Sequence, residues 1–242
     1  MKQTNRPWLS RNLMVLAFVS MLQDMSSEML YPLLPALVVG VAGAAPIALG
    51  LIEGCAEAAA GTFKLFSGKL SDQYGRKPFV MLGYGLAGIG KTLIVFSGNW
   101  VSILAGRVID RTGKGFRSSP RDALINDSVE DLHLGKAFGF HRAGDNIGAV
   151  IGPLIGLLLL STLNDNVRKV AVWALIPAVL SAIATFFVKE IKSTKKDLIN
   201  FQKHPLSKKV KRDIATLAFI QLTNIPVALL LLRLGDIGFS VS

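Results

Sequence analysis

The strongest constraint on this chain is an alternation. Apolar runs of roughly twenty residues, about the length that crosses a bilayer as a helix, are separated by polar connectors. Inside a bilayer no water is available to the backbone, so each such run must bond its own N–H and C=O groups. The first run, 13–39, exceeds the roughly 30 Å hydrocarbon core and spans it with tilt, with Pro32 and Pro35 kinking its outer end. Further spans read as 46–67, 78–97, 99–117, 137–163, 169–188 and 213–233. The basic start (Lys2, Arg6, Arg11) followed by 13–22 also looks like a signal peptide. However, no small-residue cleavage site follows, and apolar sequence resumes at Met29.

Charge then orients these spans. The 242 residues hold 27 Lys and Arg against 16 Asp and Glu, an excess that in a soluble protein would point to nucleic acid. No basic helix face with interleaved aromatics is present, so nucleic acid is not an expected partner. The basic residues instead cluster in alternate connectors: those near 40–46 and 97–100 hold none, and those near 68–77, 111–136 and 189–212 hold many. Positive connectors stay on the cytoplasmic side, which places the N-terminus inside, with Arg168 and Lys169 as the one dissent. The segment 189–212, with Lys192, Lys195, Lys196, Lys203 and Lys208 among its cations, reads as a cytoplasmic linker able to touch anionic lipid. Cys55 is the only cysteine and lies in an apolar run. Neither a disulfide nor a cysteine metal site can form within the chain, and no metal is expected.

The connector Gly68-Lys69-Leu70-Ser71-Asp72-Gln73-Tyr74-Gly75-Arg76-Lys77-Pro78 reads as a polar loop. Gly75 permits a tight turn, Asp72 can accept from nearby backbone N–H groups, and Pro78 suits the first turn of the next helix. Beyond it, 85–92 matches the phosphate-binding pattern G-x-x-x-x-G-K-T, and Gly83, Gly85 and Gly88 fit G-x-G-x-x-G. Either motif needs a strand before it and a helix after it. Here both lie inside one apolar run, where Gly83 and Ala87 read better as small residues for close helix packing. Lys91 reads as either a snorkelling side chain or a cavity charge.

Ionisable residues at membrane depth are functional candidates. Asp24 and Glu28 share one face of the first helix, and Glu53 and Glu57 share one face of the second. The fourth contributes Arg107, Asp110 and Arg111, and the fifth His141, Arg142 and Asp145. They either pair off, Arg107 with a glutamate of the second helix and Arg142 with Asp145, or together line one polar cavity able to exchange protons.

Three of these stretches resemble the major facilitator superfamily of transporters. The 68–77 stretch resembles its helix 2–3 signature, departing at Gln73. The resemblance implies a conformational latch built on Gly68, Asp72, Gly75, Arg76 and Lys77. Arg107 followed by Gly113 and Gly115 resembles the helix 4 motif, whose arginine is associated with proton coupling. Gly139, Gly148, Gly152-Pro153 and Gly156 resemble the helix 5 motif associated with antiporters, departing at Leu157. That run implies a hinge or a seal, and is equally suited to ordinary helix packing. The stretch 111–122 resembles a prokaryotic branch of the superfamily without a settled substrate.

The resemblance implies an all-α membrane protein: a six-helix N-terminal bundle over 1–188, the linker 189–212, and a seventh transmembrane helix opening an incomplete C-terminal bundle over 213–242. It implies secondary transport, with proton-coupled efflux of a small molecule as the leading reading. The alternatives are proton-coupled uptake, a non-transporting truncated fragment, and a membrane-embedded nucleotide-binding enzyme using Lys91. No catalytic residue and no cofactor beyond a proton gradient are expected. The expected surroundings are the lipid bilayer of a prokaryotic inner membrane, a small-molecule substrate and protons. The missing C-terminal half or a second copy is expected to complete the bundle, since the resemblance covers about half of such a transporter.

Overall fold

The structure is a computed structural model that describes residues 8–191, 207–222 and 225–237, and among these residues the regular structure is entirely helical. Much of the basic linker, including Lys192, Lys195, Lys196 and Lys203, lies outside the described residues.

Helix α1, Arg11–Leu30, starts where the Ser10 hydroxyl accepts from the Leu13 N–H at 3.2 Å. It continues through a 3-10 turn at Tyr31–Leu33 and a π-helical stretch at Ala36–Val41, so the two prolines change the helix type, in line with the expected distortion. Helix α2, Pro46–Tyr74, opens on a proline. Helix α3 is Arg76–Val95, and helix α4, Trp100–Ser128, is capped by Asn99. Helix α5 is Leu134–Thr162, α6 Val167–Trp173, α7 Leu175–Ala184, α8 Lys208–Leu222 and α9 Val227–Asp236.

Four boundaries differ from the sequence reading. The polar stretch 68–78 is not a loop: α2 runs to Tyr74, and Gly75 alone, at φ 97°, makes the turn into α3. The basic connector 111–136 is mostly α4, which runs to Ser128. It ends where Val129 turns extended, because charge by itself does not break a helix and Pro120 removes only one donor. The expected span 169–188 divides into α6 and α7 at Ala174, three residues before Pro177, which cannot donate to the preceding turn. The expected single span 213–233 divides into α8 and α9, the second capped by Pro226.

Among the described residues, four helical stretches are long and apolar enough to cross a bilayer: Arg11–Leu33, Arg76–Val95, Asp131–Thr162 and Val167–Phe187. Helices α2 and α4 match α5 in length, at 29 residues each, but carry more charge.

Glycines set the helix register. A Cβ at Gly83 would stand 2.6 Å from the Gly113 carbonyl oxygen, and one at Gly90 would stand 2.5 Å from that of Gly106, so α3 and α4 touch backbone to backbone. Gly115 brings the opposite side of α4 equally close to Ala60 of α2. Helix α1 packs against α5 and α7, where Ser181 donates to the Gln23 side chain at 2.9 Å. Two apolar clusters result. One holds Leu34, Leu49, Ile94 and Ile103, and the other Leu16, Val80, Tyr84 and Leu124. Asp24 and Glu28 of α1, Lys91 of α3 and the charges from Arg107 to Arg117 of α4 fall between these clusters.

Candidate functional site

The continuous α4 repeats Arg107, the adjacent Asp110 and Arg111, Lys114 and Arg117 every three or four residues, hence along one face. Arg107 donates to Glu53 of α2 from Nε at 2.7 Å and from Nη2 at 3.1 Å, and its Nη1 lies 3.4 Å from Asp110. Asp110 in turn accepts from Lys91 of α3 at 2.9 Å. All four side chains are buried, so Glu53, Arg107, Asp110 and Lys91 form a chain of alternating charge across three helices. Without such pairing, each would face a desolvation penalty of several kcal/mol. The Arg107 guanidinium also sits 5.1 Å from the centre of the Tyr31 ring.

This geometry resolves Lys91 as an interior charge rather than a snorkelling one. It also removes the basis of the nucleotide-binding alternative. The G-x-x-x-x-G-K-T string lies within uninterrupted α3, and its lysine is committed to a buried carboxylate rather than aimed at a loop.

The pairing expectation holds for Arg107 with Glu53 and for Arg142 with Asp145, whereas the expectation of one cavity lined by all four helices holds only for the residues of the first and fourth. Arg107 pairs with Glu53, yet Arg107 and Asp110 also line a polar cavity of about 50 Å³ with Asp24, Glu28 and Tyr31 of the first helix. Glu53 holds Arg107 but does not line the cavity, and Glu57 is an exposed partner of Arg111 at 3.3 Å. His141, Arg142 and Asp145 do not line this cavity. They form a separate cluster on α5, with Asp145 3.4 Å from His141 Nδ1 and 3.5 Å from the exposed Arg142. His141 Nε2 and Asp145 Oδ1 are buried there without a hydrogen-bond partner among the described residues.

The stretch resembling a latch is also built around an arginine. Arg76 holds Asp72 at 3.1 Å, donates to the Ala123 carbonyl at 3.0 Å, and pairs with Asp127 near the end of α4. The first N–H groups of α3, on Arg76 and Lys77, donate to the Glu190 carboxylate at 3.1 and 2.7 Å, and Lys77 Nζ reaches the Phe186 carbonyl at 3.0 Å. A carboxylate here satisfies amides that have no partner within the helix and complements its dipole. Gly68 is in ordinary contact with Ser119 of α4.

On α5, Gly148 and Gly152 face α1. A Cβ at Gly152 would stand 2.5 Å from the Met25 carbonyl oxygen, and one at Gly148 would overlap that of Met21. Gly156 has looser contact with Met29, and Gly139 faces open space. Pro153 lies inside the helix without ending it.

Sequence reasoning missed Lys114 and Arg117 on the cavity wall, Tyr31 beneath Arg107, and Asp127 and Glu190 around Arg76. Lys114 and Arg117 already lay inside the expected span 99–117, and the spacing 107, 110, 114, 117 was the signal that puts them on the face of Arg107.

A sequence model of the Major Facilitator Superfamily matches residues 16–240. The chain is 36% identical over 228 residues to an uncharacterized MFS-type transporter of Methanocaldococcus jannaschii, covering 93% of this chain and 57% of that protein. It is 28% identical over 146 residues to the multidrug resistance protein MdtH of Yersinia pestis, covering 60% of this chain and 36% of that protein. Among solved structures, a POT family transporter in complex with 5-aminolevulinic acid superposes with a TM-score of 0.68 at 18% identity, over 96% of this chain and 48% of that one. The chain thus spans about half the length of the relatives it matches.

Proposed function

The chain belongs to the Major Facilitator Superfamily, and on that premise we propose that it is part of a secondary transporter that exports a small molecule in exchange for protons. The observation that carries this reading is the buried chain Glu53–Arg107–Asp110–Lys91, which borders a polar cavity between α1 and α4. A proton taken up by Glu53 would release one grip on Arg107, leaving that cation free to turn toward the cavity. Asp24 and Glu28 are carboxylates through which a proton would enter. His141 and Asp145 on α5 form a second candidate proton group, with Arg142 beside them.

Export over uptake is supported by the glycine run of α5, which resembles the antiporter pattern, and by the name of the MdtH relative. The reading places the protein in a prokaryotic inner membrane, with the basic connectors and the N-terminus at the cytoplasmic face. Residues 1–188 would form the N-terminal bundle, 189–212 the linker and 213–242 the beginning of a second bundle. Alternating access needs that second bundle, supplied by a C-terminal half or by another copy. The Asp72–Arg76–Asp127 cluster would lock one of the two access states, and α5 would pivot or seal around Gly148, Gly152 and Pro153.

The test is proton release in energised inverted vesicles containing the protein, followed with a ΔpH-sensitive dye while candidate compounds are added. Substrate-dependent dequenching that disappears in Glu53→Gln supports the reading. Dequenching that is identical in wild type and Glu53→Gln, or absent for every compound, defeats it.

A further inference from the structure

The cavity has two walls that do not neutralise each other. Asp24 and Glu28, one turn apart on α1, form one wall, and Arg111, Lys114 and Arg117 on α4 form the other. Arg111 reaches only the exposed Glu57. Among the described residues, the side chains of Asp24, Glu28, Lys114 and Arg117 have neither a hydrogen-bond nor an ion-pair partner, and no ion pair joins the two walls. Arg117 is the decisive member. It is 6% exposed, its Nη1 is buried without a partner, and its guanidinium sits over the Tyr84 ring with Cζ 4.6 Å from the ring centre. A cation–π contact holds the cation in place but gives the buried Nη1 no acceptor.

Opposite charges facing each other across a gap would collapse into ion pairs if their helices allowed it. Here the backbone contacts of Gly148 and Gly152 seat α1 closely on α5, those of Gly83 and Gly90 seat α4 closely on α3, and no ion pair forms across the gap between them. A plain anion would satisfy Arg117 and leave the two carboxylates repelling it. A plain cation would do the reverse. A short molecule carrying a carboxylate at one end and an ammonium at the other meets both walls. We infer that the slot between α1 and α4 binds a small zwitterion of the amino acid class, its carboxylate on Arg117 and Lys114 and its ammonium on Asp24 and Glu28. This deepens the transport reading above and rests on it only for the claim that the bound molecule is also moved.

The test uses the full chain in detergent at fixed ionic strength. Glycine, β-alanine and 4-aminobutyrate are compared with propionate and propylamine by calorimetric titration and by thermal shift. At least one amino acid is expected to bind saturably, about tenfold or more tighter than either single-charge probe. Arg117→Gln should remove that binding. Asp24→Asn with Glu28→Gln should reduce the amino acid to the level of propionate. Without ligand, Arg117→Gln should melt at or above the wild-type temperature, because it deletes an unpartnered buried cation; a purely structural arginine would give the opposite sign. Propionate binding as tightly as every amino acid, binding of propylamine alone, no binding of any amino acid, or an Arg117→Gln protein that binds unchanged would each overturn the inference. Binding as expected without proton flux in vesicles would retain the zwitterion site and remove the transport reading. Flux driven by a compound without both charges and unaffected by Arg117→Gln would retain transport and remove the site.

Discussion

Arg107 and Glu53 meet in a two-pronged ion pair, Nε to Oε1 at 2.7 Å and Nη2 to Oε2 at 3.1 Å, with neither side chain more than 5% exposed. The pair ties α4 to α2 at the depth of the cavity. Its geometry matches the planar fork of arginine to a carboxylate, which lysine cannot reproduce. Glu53→Ala strands a buried guanidinium whose remaining carboxylate, Asp110, is 3.4 Å away and shared with Lys91. A loss of about 3 kcal/mol or more is expected from breaking one side of a buried pair, and less for the double variant Glu53→Gln/Arg107→Gln, which removes both charges. Unfolding in detergent micelles checks this. A double variant less stable than Glu53→Ala would contradict it.

The two carboxylates that hold Arg76 differ in setting. The Asp72 side chain is 56% exposed and that of Asp127 is 7% exposed. An exposed pair contributes at most about 1 kcal/mol, whereas a buried one is costly to break. Asp127→Asn is therefore expected to lower the melting temperature clearly more than Asp72→Asn does. Asp72→Asn should leave insertion and melting nearly unchanged, and under the proposed switch role it should slow transport by the assembled transporter. Equal melting losses in the two variants would remove the distinction.

The glycines of α5 separate by what they touch. Gly148→Ala and Gly152→Ala each push a methyl into a carbonyl oxygen of α1, which cannot yield without moving the helix. The expected loss is about 1–3 kcal/mol, typical of overpacking. Gly139→Ala meets nothing within 4 Å and gains helix propensity, so it should be neutral or slightly stabilising. Thermal melts of the three variants decide the matter. A Gly139→Ala loss as large as that of Gly148→Ala would mean that α5 packs differently.

These positions show what was legible in the sequence. Apolar length located α1, α3 and α5 because each is a nearly continuous membrane-length run, and the charge signs were enough to anticipate Arg107 with a glutamate of α2. Hydropathy stopped α4 near 117, where its apolar residues thin out, although the helix continues for another 11 residues and carries Arg121 and Asp127. It also overlooked the breaks before Pro177 and at Pro226, since a hydropathy window sees side chains and not missing N–H donors. The contact of Glu190 with the start of α3 joins residues 113 and 114 positions apart, a separation that no local pattern encodes. Lys91 and Asp110 meet because Gly83, Gly90, Gly106 and Gly113 set the register of α3 on α4. The glycines were visible in the sequence, but the register was not.

That register makes Lys91 the clearest test of the polar interior. Lys91→Met keeps much of the side-chain length and removes the charge, leaving the buried Asp110 with Arg107 alone, at 3.4 Å and already engaged by Glu53. The substitution should destabilise the chain, and adding Asp110→Asn should restore much of the loss, because the two partners are removed together. A phosphate-binding lysine behaves differently: its removal spares the fold and abolishes nucleotide binding. The expected result is a lower melting temperature for Lys91→Met, partial recovery in the double variant, and no saturable ATP binding by wild type in detergent. ATP binding that vanishes in a Lys91→Met protein of unchanged stability would instead revive the phosphate-binding reading of 85–92.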